Sequence, residues 1–167
     1  MIKEYIYVFL ISMLPIVELR GAIPVGVAAG LPLIPTYIVS VIGNLIPVPF
    51  IIFFAQKVLN WCAKLPKIGG FFQKIIDKAT EKSKSEKFQK GELLALFIFV
   101  AIPLPGTGAW TGSLVAAILQ MNWKKALPMI FCGVVAAGLI MLLLSVFVGG
   151  VAGELFGFGG MTEFKLF

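Results

Sequence analysis

The sequence contains no histidine and only two cysteines, and its charged residues amount to 13% of 167 positions. Each shortage excludes something. Histidine is the commonest metal ligand and general base near neutral pH, and no metal-ligand spacing or serine–base pairing stands in for it. No catalytic residue, metal site or cofactor is therefore expected. Cys62 and Cys132 give neither a disulfide framework nor a zinc pattern and read as ordinary thiols. No glycine-rich stretch ends in Gly-Lys-Ser/Thr, which excludes a phosphate loop for nucleotides. The scarcity of charge is the most informative absence. A soluble domain carries about 25% charged residues, so this surface faces something other than water.

What is present is apolar and long. The stretches 5–17, 21–56, 93–123 and 126–153 carry no charge, and nine of the thirteen lysines fall between Lys57 and Lys90. Runs of about 20 apolar residues are what a bilayer core requires. Lys3 ahead of an apolar run resembles a signal peptide. No small-x-small cleavage site precedes Pro15, however, and Glu18 and Arg20 interrupt the run beyond it, so the segment reads as retained. The basic linker argues against nucleic acid as a partner. Beside membrane segments it reads as a cytoplasmic loop near anionic lipid.

Segments 33–56 and 126–149 read as spans. The other two stretches are broken, 1–31 at Pro15-Ile-Val-Glu-Leu-Arg-Gly-Ala-Ile-Pro24 and 93–123 at Pro103-Leu-Pro-Gly-Thr-Gly108. Each then holds two half-helices of about 10–15 residues, roughly 15–22 Å at 1.5 Å per residue. Neither half crosses a core of about 30 Å. A proline-glycine apex between two such halves lets a chain enter a membrane and turn back. Re-entry would keep Lys124 and Lys125 on the linker side, as the positive-inside rule prefers. The alternative is four ordinary kinked spans. Under re-entry the expected fold is an all-α integral membrane protein forming one membrane domain over 1–160. It is an inverted repeat of re-entrant hairpin plus transmembrane helix, with both termini outside and an amphipathic linker at 57–92. Within the linker, Ile68, Phe71, Phe72, Ile75, Ile76 and Ala79 fall on one helical face. That face lies either on the membrane interface or on the protein itself, while 80–90 reads as a tether. Residues 161–167 do not continue the preceding pattern and are left out of the functional reading.

Glu18 and Arg20 are the ionisable pair farthest from the expected water boundaries. Charges at a membrane helix centre cost at least about 2.5–3.5 kcal/mol each and usually mark a pathway. Residues two apart do not share a helix face, but in an irregular apex both can point into one cavity. Arg20 offers a planar fork for a phosphate or carboxylate. Without histidine, proton coupling has to rest on a carboxyl such as Glu18. The alternative is a structural ion pair pinning the break. Gly21 and Pro24 complete this apex. At the second, Pro103, Pro105, Gly106 and Gly108 expose backbone groups, Thr107 and Thr111 add hydroxyls, and Trp110 adds an apolar wall. A plain turn with close helix packing explains the same residues. Asn44 reads first as a helix-to-helix hydrogen-bonding residue and second as a contact to an apex. Trp61 and Trp123 read as interfacial anchors.

Glu18-Leu-Arg-Gly-Ala-Ile-Pro-Val-Gly26 and Pro103-Leu-Pro-Gly-Thr-Gly-Ala-Trp-Thr-Gly112, separated by a lysine-rich linker, resemble the small multidrug export protein family of bacteria and archaea. That family looks like a distant branch of the DedA-like superfamily. The resemblance implies two re-entrant loops, each beside a span, and proton-linked transport or lipid translocation, as in polyprenyl-phosphate carriers and phospholipid scramblases. DedA-like proteins usually carry arginines at the second apex, where this chain has Gly106, Thr107 and Gly108. The resemblance therefore carries no phosphate-binding role to that loop. The function expected is a small transporter in the cell membrane, proton-coupled or moving an anionic lipid or amphiphile. Two spans are few for a closed pathway, which argues for a homodimer. The competing class is a non-transporting scaffold in which the Glu18–Arg20 pair is structural and the linker recruits lipid or a partner.

Overall fold

A computed structural model describes residues 2–65, 69–82, 86–104 and 106–155 of the chain. The described residues form eight helices and no strand: α1 (Ile2–Met13), α2 (Glu18–Ala28), α3 (Leu33–Leu45), α4 (Pro47–Cys62), α5 (Gly69–Lys82), α6 (Glu86–Ala101), α7 (Ala109–Ile118) and α8 (Trp123–Leu155). Leu33–Cys62 and Trp123–Gly149 are long and apolar enough to cross a membrane. The described residues are all-helical, and two helical stretches suit a bilayer core by length and composition. The first candidate span runs past Gln56, because a helix can continue from hydrocarbon into water without changing its backbone bonds.

The chain divides into two compact units. One holds α1, α2, α3 and the part of α8 from Val134, and the other holds α4 to α7 and the part of α8 up to Gly133. In the first unit, Val8 of α1 packs with Ala22 of α2 and with Leu31. Gly43 brings α3 against α1, since a Cβ there would lie 2.8 Å from the Phe9 carbonyl oxygen and would collide with Ser12 Oγ. Close approach through small residues is the usual packing mode where lipid removes the hydrophobic drive between helices. The Tyr37 hydroxyl donates to the Val135 carbonyl at 3.1 Å and ties α3 to α8.

The second unit repeats these devices. A Cβ at Gly133 of α8 would lie 2.7 Å from Val100 Cβ and 3.1 Å from the Phe97 carbonyl oxygen of α6. The buried residues of α7 are small throughout, Ala109, Gly112, Ser113, Ala116 and Ala117; the helix packs on α4 and α6, and a Cβ at Gly112 would meet Val100 of α6. Asn122 starts α8 as an N-cap, its Oδ1 accepting from the Lys124 N–H at 3.0 Å. The similarity extends to backbone hydrogen bonds. After α2, the Gly30 N–H donates to Val27 and the Leu31 N–H to Gly26; after α7, the Gln120 N–H donates to Ala117 and the Met121 N–H to Ala116. Both are Schellman ends with a left-handed residue after the cap. The left-handed residue is Gly30 in one (φ 74°) and Gln120 in the other (φ 50°).

Two sequence expectations change. The first break covers only 14–17, because α2 begins at Glu18 and already contains Gly21 and Pro24. A proline within a helix costs one backbone bond, here the donor for the Arg20 carbonyl, and need not end it. The linker is also more helical than expected, with α5 reaching Lys82 and α6 starting at Glu86. A helix is present in the expected region as α5, with Ile76 half-buried and Lys74 and Lys78 exposed. Ile68 and the side chains of Phe71, Phe72, Ile75 and Ala79 lie outside the described residues.

Candidate functional site

The first break is built on Glu18. Its N–H donates to the Leu14 carbonyl at 3.0 Å, and the Gly21 N–H donates to Val17 at 3.1 Å. These bonds join the end of α1 to the start of α2 through a tight turn. The joint leaves Glu18 in a left-handed conformation, φ 52°, which a side chain adopts at a cost of roughly 1–3 kcal/mol and which clusters at functional positions. Its carboxylate is not on the surface; Glu18 is 4% exposed. Arg20 is partly buried, and the Glu18 charge acts on its guanidinium. Starting α2 at Glu18 also matters electrostatically, since a carboxylate at a helix N-terminus meets the positive end of the helix dipole. Gly21 and Pro24 are half-buried in α2 rather than parts of an irregular loop.

Asn44 belongs to the same unit and is 1% exposed. Neither its amide nitrogen nor its amide oxygen has a hydrogen-bond partner among the described residues, and the same holds for Ser40 Oγ one turn earlier. An unmade buried bond costs about 1–3 kcal/mol, and no helix-to-helix hydrogen bond of Asn44 is found among the described residues.

The second break lies in the other unit. Pro103, Leu104, Gly106, Thr107 and Gly108 separate α6 from α7, as expected from the sequence, while Pro105 lies outside the described residues. Gly106 (φ 83°) and Gly108 (φ 137°) adopt conformations that favour glycine. The Thr107 hydroxyl is shared between the Ile102 and Leu104 carbonyls at 2.8 Å each, and Thr111 Oγ1 lies 3.4 Å from the Gly108 carbonyl. Both hydroxyls thus serve their own loop. Trp110 is half-buried in the first turn of α7.

Sequence reasoning missed a polar pocket of about 460 Å³ at the open end of the second hairpin. Gln56, Gln89, Glu92, Gln120, Lys124 and Lys125 line it, with Trp123 and Met121 as apolar walls. Lys125 Nζ donates to Gln89 Oε1 at 2.8 Å, joining the beginning of α6 to the beginning of α8. Gln56 Nε2 donates to the Met121 carbonyl at 3.2 Å. Lys124 Nζ sits 5.7 Å from the centre of the Trp123 ring, and Phe53 stacks on that ring from α4 at 5.3 Å. The only signal in the sequence is the short polar run Gln120–Lys125 between two apolar stretches, which by itself marks no more than a boundary.

A family model described as "Putative small multi-drug export protein" matches residues 18–140. The chain belongs to this family. The match runs from Glu18, the first residue after the first break, through the linker, the second break and the pocket. No curated protein matches the chain, and no solved structure matches it. Membership of a family described by export, together with two helices long and apolar enough to cross a bilayer, points to a membrane protein with a role in export.

Proposed function

We propose that this chain is a multi-pass transporter of the cell membrane that moves an anionic amphiphile or lipid. In this reading Arg20 holds the anion and Glu18 exchanges the coupling proton. The observation that carries it is Glu18 itself, a carboxylate 4% exposed and held in a left-handed backbone inside a family of exporters. The two hairpins are re-entrant, each followed by a span, and together they form an inverted repeat like that expected of a DedA-like protein. Two features support re-entry. The exposed residues of the first turn are apolar, with Leu14 50%, Ile16 94% and Val17 37% exposed, and Ile102 and Leu104 are exposed at the second. A turn in water is normally built from polar residues, whereas these suit hydrocarbon. The Lys125–Gln89 bond also brings the two ends of 93–123 together, as a segment that turns back requires. The linker then faces the cytoplasm, where its lysines meet anionic lipid, and a homodimer supplies the helices that one copy lacks.

The test is transport by purified protein in liposomes under an imposed pH gradient, with a fluorescent anionic phospholipid and an amphiphilic drug as cargoes. Wild-type protein should move the lipid, and Glu18→Gln should abolish the pH dependence while eluting as a monodisperse species. Arg20→Lys should fail nearly as badly as Arg20→Ala, because a point charge does not replace a planar fork. Drug movement without lipid movement would shift the substrate to the chemistry named in the family's description. If both conservative variants transport at wild-type rates with unchanged pH response, the pair is structural, as in a scaffold.

A further inference from the structure

The pocket at the open end of the second hairpin has a feature that packing alone does not explain. Gln120 occupies the left-handed position after α7 that Gly30 fills after α2, with the same backbone hydrogen bonds around it. Glycine enters that conformation freely, whereas a side chain strains it. The chain keeps a strained residue where glycine would serve, so the side chain itself is what is needed. Gln120 lines the pocket, and its Nε2 is buried with no hydrogen-bond partner among the described residues. A buried N–H left in that state asks for an acceptor.

The neighbours say which acceptor. Lys124 and Lys125 line the same pocket against one carboxylate, Glu92, leaving the lining positive. Lys125 is held in position by Gln89. Ammonium groups and an unpartnered amide donor on residues that line one pocket match a group with several charged oxygens. Trp123, Met121 and Leu93 line the pocket with apolar surface, which a bare anion would leave unused. A volume of about 460 Å³ falls in the range of roughly 300–1,000 Å³ typical of small-molecule sites and exceeds what an inorganic ion fills. We propose that this pocket binds a phosphate-bearing head group, with the apolar part of an amphiphile lying on Trp123 and Met121. The site stands on different residues from Glu18 and Arg20 and does not depend on their transport role.

Trp123 is a built-in reporter. In full-length protein carrying Trp61→Phe and Trp110→Phe, purified in an uncharged detergent, its emission should change saturably on adding dihexanoyl phosphatidic acid. Dihexanoylglycerol, which lacks the phosphate, should produce no saturable change. Lys125→Gln and Gln120→Gly should each weaken the response tenfold or more. Gln120→Gly separates binding from folding, because glycine suits this backbone and should leave monodisperse elution unchanged. Saturation by inorganic phosphate at the same concentrations would support the phosphate chemistry and name a soluble source for it. No saturable response to either probe, or a response unaltered in both variants, would overturn the proposal whatever the transport assay gives.

Discussion

The two broken segments end their second helices with the same backbone hydrogen bonds, and they place glycine and side-chain-bearing residues at their positive-φ positions in opposite ways. Where the second helix of the hairpin begins, the first hairpin has Glu18 at φ 52° and the second has Gly108 at φ 137°. Where that helix ends, the first has Gly30 at φ 74° and the second has Gln120 at φ 50°. Glu18 and Gln120 are the only non-glycine residues with positive φ among the described residues, and each stands opposite a glycine. The comparison separates what the backbone needs from what the side chain adds. At the helix ends, where the two segments share one left-handed conformation, glycine satisfies the geometry, so the amide of Gln120 is there for something else. Glu18 and Gln120 are also withdrawn from water, as a carboxylate 4% exposed and an amide nitrogen without a partner.

The largest expected effect bears on whether the two hairpins face opposite sides of the membrane. With Cys62 and Cys132 replaced and single cysteines introduced, positions 74 and 125 should label from one face and position 3 from the other. The result is close to all-or-none. Labelling of 74 and 125 from opposite faces would turn the second hairpin into a crossing segment and end the comparison.

Next in size is the close packing that both hairpins share. Gly43→Ala and Gly133→Ala each place a Cβ less than 3 Å from a neighbouring helix, at the Phe9 carbonyl oxygen and Val100 Cβ respectively. Overpacking of this kind costs about 1–3 kcal/mol, read as a lower unfolding temperature in detergent. Gly91→Ala, which meets nothing within 4 Å inside α6, should instead stabilise by about 0.4–1 kcal/mol. If Gly43→Ala and Gly133→Ala behave like Gly91→Ala, the helices are not in contact through these glycines.

A third test asks whether the glycines are backbone requirements. Gly108→Ala should cost about 1–3 kcal/mol, because φ 137° with ψ −168° is a region reserved for glycine. Gly30→Ala should cost about 1–2 kcal/mol, since its surroundings are open and only the left-handed backbone objects. Equal and negligible losses at both would show that the turns relax, and the contrast with Glu18 and Gln120 would lose its meaning.

Much of the fold is legible in the sequence because its causes are local. Long uncharged runs ended by lysines give the membrane segments, and Pro103-Leu-Pro-Gly-Thr-Gly108 gives the second break, since prolines and glycines cluster there. The same signal misplaces the first break. Pro15 and Pro24 look alike in sequence, yet only the first lies at the turn, while α2 absorbs the second at the loss of one backbone bond. Glu18 stands out because an isolated charge in an apolar run is visible by eye. Its backbone strain is not, because φ is set by the turn it closes. Gln120 escapes notice altogether. Glutamine carries no turn signal, and its position becomes informative only when the Schellman end after α7 is laid over the one after α2.

The smallest effect, and the sharpest for the comparison, is a gain. Replacing Gln120 by glycine gives the second hairpin the residue that the first already uses, and replacing Glu18 does the converse. Each substitution removes a left-handed side chain, worth about 1–2 kcal/mol. Glycine also loses more freedom on folding, by roughly 0.5–1 kcal/mol in regular structure. The net expectation is an unfolding temperature unchanged or slightly raised. Gln120→Gly should show this more clearly, because the amide it removes has a buried nitrogen without a partner. Glu18→Gly also deletes a charge that interacts with Arg20, so its gain should be smaller or reversed, and the difference between the two variants measures that interaction. Thermal unfolding of both variants beside Gln120→Ala settles it. Alanine removes the amide but keeps the strain, so Gln120→Ala should be less stable than Gln120→Gly. If alanine and glycine are equivalent at 120, the backbone there is not strained, and the case for a retained functional side chain falls with it.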